Sequence, residues 1–135
     1  MDLGKVLHIS AHGLKAQGTR LRVIAENVAN ADSLPQSPEA QPYRRKLVSF
    51  ANSLNRALGF ETVQVRGIEP DRSDFGQRFE PGHPGADADG YVRTPNVKSI
   101  IEMADMREAQ RSYEANLKVI EASRSMVQRA IAILR

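Results

Sequence analysis

The sequence predicts a mainly α fold in which long N- and C-terminal helices pair as a coiled coil around a small central β-hairpin and loop module. Three observations carry that expectation. All seven prolines (Pro35, Pro38, Pro42, Pro70, Pro81, Pro84, Pro95) lie in the middle, leaving 34 residues before the first and 40 after the last without a helix breaker. Apolar residues recur at spacings of three, four or seven in both ends. Alternating apolar runs and an Asp-Gly turn signal are confined to the centre. The expected division is a helical domain made from residues 1–34 and 96–135, with a central module over 35–95.

In the first helix Leu3, Leu7, Leu14, Leu21, Ile24, Val28 and Ala31 share one stripe with Ser10 and Gln17. Gly4, Gly13 and Gly18 each cost on the order of 1 kcal/mol against Ala in a helix interior, so this helix needs a partner to stay folded. In the centre, Leu47 to Phe50, then Val63 and Val65 before Gly67, then Tyr91 to Arg93 after Asp89-Gly90 read as short strands of a hairpin module. The Pro- and Gly-rich stretch from Pro70 to Gly85 reads as loop.

The last helix has the stronger stripe: Met103, Met106, Tyr113, Leu117, Ile120, Val127, Ile131 and Leu134, interrupted by Gln110 and Arg124 and widened by Val119, Met126, Ala130 and Ile133. Asn96 or a Ser99-Ile100-Ile101-Glu102 capping box can start it. About 36 helical residues make a rod of roughly 55 Å, too long for a compact globule of this size. Apolar width left over after the two helices pair would face other subunits. Glu102, Arg107, Glu108 and Arg111 stand at spacings that can set register by charge.

Composition removes several functions. With 19 basic and 16 acidic residues and no basic block, the footprint of a nucleic-acid binder is missing. The absence of Cys excludes disulfides, thiolate catalysis and cysteine metal sites. There is no run of about 18 apolar residues and no Sec-type signal. Charge is uneven: residues 1–60 hold 8 basic and 4 acidic groups, 61–96 hold 4 and 7, and the remainder 7 and 5.

No constellation reads as an active site. His8 and His12 stand four apart, a spacing two metal-binding imidazoles can use, but no third ligand and no Glu between them completes a zinc motif, so they read as surface histidines. His83 before Pro84 reads as a turn residue. Asp87-Ala88-Asp89-Gly90 resembles part of a calcium loop but has Gly85 and Asn96 at the anchor positions, leaving an Asp-Gly turn. Ser10, Ser33 and Ser99 sit in no nucleophile elbow. Arg44, Arg45 and Lys46 read as a solvated or partner-facing turn, with the acidic centre of a neighbouring copy as counter-surface. No metal and no cofactor is expected.

Particular residues then narrow the reading. Ala25-Glu26-Asn27-Val28-Ala29-Asn30-Ala31-Asp32-Ser33 resembles the Asn-rich signature of bacterial flagellar rod and hook proteins. PYRRK (Pro42 to Lys46), EPGHPGADADGYVRTPNV (Glu80 to Val97) and EMADMREAQRSYEAN (Glu102 to Asn116) resemble the proximal rod proteins of the FlgC type, and together cover nearly the whole chain. The departures are Asp32-Ser33-Leu34-Pro35 in place of a Thr-Pro-Gly ending, and Thr94 where the family often has a larger residue.

The resemblance implies a non-enzymatic structural subunit of the basal-body rod, which crosses the periplasm and transmits motor torque. It implies assembly with copies of itself, with other proximal and distal rod proteins, and with the rod adaptor and MS ring at the base. Export would run through the flagellar type III apparatus without a cleaved signal; Phe50 and Leu54 match a short aromatic-to-apolar export pattern. No nucleic acid and no small-molecule substrate is implied. The expected assembly interface comprises Leu7, Leu14, Leu21, Ile24, Asn27, Val28 and Asn30 from the first helix, and Met103, Met106, Tyr113, Leu117, Ile120, Val127 and Ile131 from the last. The family motif of the central module comprises Pro42, Tyr43, Arg44, His83, Pro84, Asp87, Gly90, Tyr91, Pro95 and Asn96. Burying about ten large apolar side chains would offer a gross 15 to 30 kcal/mol, before ordering costs, to hold such helices rigid. A helical adaptor or chaperone that uses the same stripe for one partner is the alternative.

Overall fold

A computed structural model describes residues 2–57 and 59–134; the outermost positions of the expected helical domain, 1 and 135, lie outside them. The elements run α1 (Leu3–Ala29), β1 (Lys46–Asn55), β2 (Phe60–Pro70), β3 (Gly76–Phe79), β4 (Tyr91–Thr94) and α2 (Ser99–Ile133). The two terminal helices and the small central strands are thus as expected. The β1 and β2 strands form one two-stranded sheet and β3 and β4 another.

Local chemistry explains the helix ends. The Asp2 carboxylate accepts the backbone N–H groups of Gly4 and Lys5 (3.1 and 3.3 Å), which fits an N-cap. At the far end of α1 the Glu26 carbonyl accepts both the backbone N–H and the side-chain amide of Asn30 (3.2 and 2.9 Å), which ties the last turn together. At the start of α2 the Lys98 carbonyl receives Ile101 N and Glu102 N (3.0 and 3.1 Å). The expected Ser99–Glu102 capping box does not form, because the Glu102 carboxylate is turned into the protein, toward Asn27 and Arg45. Asn96 does not cap the helix either; its side chain bonds Arg45 N, the Asp71 and Ser73 carbonyls and the Ser73 hydroxyl.

The centre holds more strand than periodicity suggests. The β1 and β2 strands reach well beyond residues 47–50 and 63–65, and β3 lies inside the stretch read as loop. The β3 strand pairs antiparallel with β4, Gly76 opposite Thr94 and Phe79 opposite Tyr91. It has no apolar alternation of its own and exists because β4 offers a ladder. A Cβ on Gly76 would stand 2.4 Å from the Thr94 hydroxyl, so a larger residue opposite Thr94 requires that hydroxyl to turn away. Gly90, at φ +87°, makes the turn into β4, while the Asp87 carboxylate accepts Asp89 N and Tyr91 N (3.0 and 2.9 Å).

The chain folds as two compact units, Met1–Leu21 with Val48–Gly67 and Arg107–Arg135, and Arg22–Leu47 with Ile68–Met106. In the first, segments of α1 and α2 run antiparallel: Gly13 meets Asn116, Gly18 meets Tyr113 and Arg20 reaches Glu108 (3.4 Å). The buried residues there are small or polar: Ser10, Gly13, Ala16, Thr62, Ala109 and Ser123. A Cβ on Gly13 would lie 2.7 Å from the Asn116 side-chain oxygen, so glycine sets how closely the helices approach. In the second unit Val23, Ile24, Asn27, Val92 and Glu102 are buried.

Candidate assembly surface and a buried polar cluster

Within the first unit, α2 buries Ala109 and Ser123 with Asn116 between them, a seven-residue repeat one position before the expected Gln110, Leu117 and Arg124. The large apolar residues therefore flank this seam instead of filling it. At 100° per residue, Tyr113, Leu117 and Ile131 lie on one side of the seam. Val119, Met126 and Ile133, recurring every seven residues, lie on the other. All six are exposed, from 36% at Tyr113 to 84% at Ile133. Arg107, Arg111, Lys118 and Arg129 form an exposed ridge opposite the seam. No helix among the described residues is long and apolar enough to cross a membrane.

The residues expected at an assembly interface are therefore spread over every degree of exposure. Met103, Tyr113, Leu117 and Ile131 are open; Leu7, Leu14, Leu21, Val28, Asn30, Met106, Ile120 and Val127 are half-buried; Ile24 and Asn27 are buried. Phe50 and Leu54 are exposed on β1. Of the central motif, Pro42, Gly90 and Pro95 are buried, and His83 Nδ1 accepts Gly85 N (3.0 Å), closing a turn as expected.

The second unit is built around Asn27, which is 1% exposed. Its amide donates to the Lys46 carbonyl (2.9 Å) and to Glu102 Oε2 (3.1 Å), and its oxygen accepts Lys46 N and Tyr43 OH (both 2.9 Å). All of its bonding capacity is used, and the pair of hydrogen bonds with the Lys46 backbone, one donated and one accepted, mimics a neighbouring strand at the start of β1. Glu102, equally buried, also receives Arg45 Nε. Arg45 in turn reaches Asp71 (3.2 Å) and Asp105 (3.6 Å), and Lys46 Nζ pairs with Glu26. Arg44 donates to the Asp71 and Ser73 carbonyls (2.8 and 3.0 Å) and lies 4.1 Å over the Phe75 ring. A buried carboxylate is tolerable only with such partners.

These contacts shift several titrations. The Asp71 carboxyl sits below its ordinary value, chiefly through the Ser73 backbone N–H, with burial opposing and the Ser73 hydroxyl and Arg45 assisting. Burial works against the Arg45 charge, but Glu102 and then Asp71 outweigh it and raise its pKa. Burial, then the Glu26 charge, raises Tyr43. The hydrogen bond to Glu26 raises Lys46.

Two readings of the sequence are corrected. Arg44, Arg45 and Lys46 are not a solvated turn awaiting a neighbour's acids, because Asp71, Glu102 and Glu26 of the same chain hold them. Glu102 is a core residue, not a surface register charge. Polar character hid this cluster; the seven-residue succession Glu102, Ala109, Asn116, Ser123, small or polar throughout, was the available signal. His8 and His12 stack with ring centroids 6.3 Å apart, and among the described residues no three His, Asp or Glu side chains converge as a metal site.

Comparison with known proteins defines the class first. The family model described as flagellar basal body rod FlgEFG protein C-terminal matches residues 88–133. Full-length relatives then narrow it. The flagellar basal-body rod protein FlgC of Agrobacterium fabrum is 50% identical over 94% of this chain and 91% of its own length. FlgC of Escherichia coli O157:H7 is 40% identical over 98% of each chain, and FlgC of Bacillus subtilis 37% identical over 94% and 95%. The chain belongs to the FlgC family of flagellar basal-body rod proteins.

Proposed function

We propose that the protein is a non-enzymatic structural subunit of the flagellar proximal rod, whose terminal helices pair as a coiled coil and assemble into a hollow shaft that carries motor torque across the periplasm. The observation that carries this reading is the pair of apolar flanks on α2, with Tyr113, Leu117 and Ile131 on one side of the seam and Val119, Met126 and Ile133 on the other. A helix with uncovered apolar sides to left and right has room for a neighbour on each, as a tube wall requires. In the first unit α1 has α2 on one side and the β2 residues Val63–Val65 beside His12 and Ala16 on another. The single-helix edge is the narrower, which favours α2 toward the axis, its Arg107, Arg111, Lys118 and Arg129 ridge in channel water.

On this reading residues 1–34 and 96–135 act as the assembling domain, and 35–95 as an outward module that staggers subunits. Partners are copies of the chain and the other rod proteins, with the rod adaptor and MS ring at the base. The chain arrives through the flagellar type III apparatus without signal cleavage, with Phe50 and Leu54, exposed on β1, as candidate export residues. The test is the double variant Leu117→Asp and Met126→Asp, both at exposed positions that leave the seam intact. It should fold and be exported yet fail to enter rods, leaving cells non-motile; normal swimming would overturn the reading, and stable one-to-one capture of a cytosolic partner by the native flanks would favour an adaptor.

A further inference from the structure

From Leu3 to Ala25, α1 carries no acidic residue, while it holds Lys5, His8, His12, Lys15, Arg20 and Arg22. Arg20 is engaged by Glu108, and Lys5 reaches Asp2 only at 3.9 Å. Among the described residues His8, His12 and Lys15 have no carboxylate partner. Lys5, His8, His12 and Lys15 step by three and four along the helix and so share one face. His12, Lys15, Ala16 and Thr19 form one wall of a groove of about 210 Å³, and Val63 to Val65 form the other. The groove thus combines the apolar Ala16, Val63 and Val65 with the basic His12 and Lys15 and the polar Thr19 and Gln64.

The second unit carries a shape of opposite character. Phe79 and Tyr91, directly opposed on β3 and β4, meet edge-on at 5.2 Å and stand 61% and 43% exposed. The adjoining turn carries exposed Asp87 and Asp89. Asp71 is engaged by Arg45 and Glu80 by Arg78, whereas Asp87 and Asp89 pair with no basic side chain among the described residues. An exposed aromatic pair beside two carboxylates that pair with no basic side chain among the described residues is complementary to a groove lined by valines and by ammonium and imidazole groups.

We propose that the Phe79–Tyr91 hairpin turn of one copy docks into the α1–β2 groove of a second copy, Asp87 and Asp89 facing Lys15, His12 and Lys5. This deepens the rod reading and rests on it. The two surfaces differ, so the contact is heterologous and, repeated from copy to copy, extends an open array instead of closing a dimer. Exposed charges at this contact make it sensitive to ionic strength.

The chain lacks cysteine, which makes the contact directly testable in the full-length protein. Copies carrying Thr19→Cys, on the groove wall, are mixed with differently tagged copies carrying Ala88→Cys and oxidised. Ala88 is chosen because it is exposed between Asp87 and Asp89, so that both carboxylates and the turn held by Asp87 are kept. Mixed disulfide dimers should exceed their statistical share over both homodimers; the excess should be lost in high salt, and lost when the Ala88→Cys copy also carries Phe79→Ser. Mixed dimers at the statistical share overturn the proposal, as does capture of the Lys15 face by anionic phosphatidylglycerol vesicles without mixed dimers. If the excess is absent while the Leu117→Asp and Met126→Asp variant still fails to enter rods, the docking fails and the rod reading stands.

Discussion

Asn27 is the residue on which the second unit turns, because one side-chain amide satisfies both backbone groups of Lys46, the Tyr43 hydroxyl and one oxygen of Glu102. Asn27→Ala leaves those groups unpaired in a buried site and should cost about 2–4 kcal/mol in denaturant unfolding. Asn27→Asp would bring a second carboxylate against Glu102 and should be worse at neutral pH than in acid. Asp71 gives a second expectation. Its carboxyl titrates lower folded than unfolded, so the stability it contributes is present above the unfolded value and lost as pH falls through the folded one. Acid unfolding followed below about pH 4 should therefore be shallower in Asp71→Asn than in the parent chain. Gly85 is limited by space: a Cβ there would stand 2.2 Å from the Pro35 carbonyl oxygen. Gly85→Ala should cost about 1–3 kcal/mol, measured as a lowered unfolding midpoint.

Among the elements, both helices were legible because their apolar residues keep a three-four alternation over many turns, a signal that long segments make strong. Which face each helix buries was not. Hydrophobic periodicity finds large side chains, and the seam is made where large side chains are absent, at Ser10, Gly13 and Ala16 of α1 and at Ala109 and Ser123 of α2. Close backbone approach needs small residues there, so the Leu, Met and Ile side chains are displaced to the flanks. Ala109, with no exposed surface, tests this: Ala109→Leu raises local hydrophobicity yet should destabilise the chain by about 1–3 kcal/mol through overpacking, read by thermal unfolding. The β3 strand and the distant partners of Glu102, whose own place on a small or polar repeat was readable, were illegible for another reason. Each depends on partners far away in the chain, Thr94 for Gly76 and Asn27 for Glu102, and no local pattern encodes such a pairing.

At the scale of the whole molecule, the chain leaves uncovered the apolar surface that folding normally removes from water, and α2 carries much of it, from Ile100 and Met103 to Ile133 and Leu134. Membership of the FlgC family supplies the setting in which such surface has use, the flagellar basal-body rod. The resemblance in the motifs from Pro42 to Lys46 and Glu80 to Val97 was readable in the sequence, but their physical work was not; they fasten the second unit internally through Arg44, Arg45 and Asn96. The most direct measurement is hydroxyl-radical footprinting of Tyr113 and Met126 in the purified subunit and in isolated basal bodies. The side chains should react readily in the free chain and become protected in the rod. Equal reactivity in both states would contradict the assignment of the α2 flanks as subunit-burying surfaces.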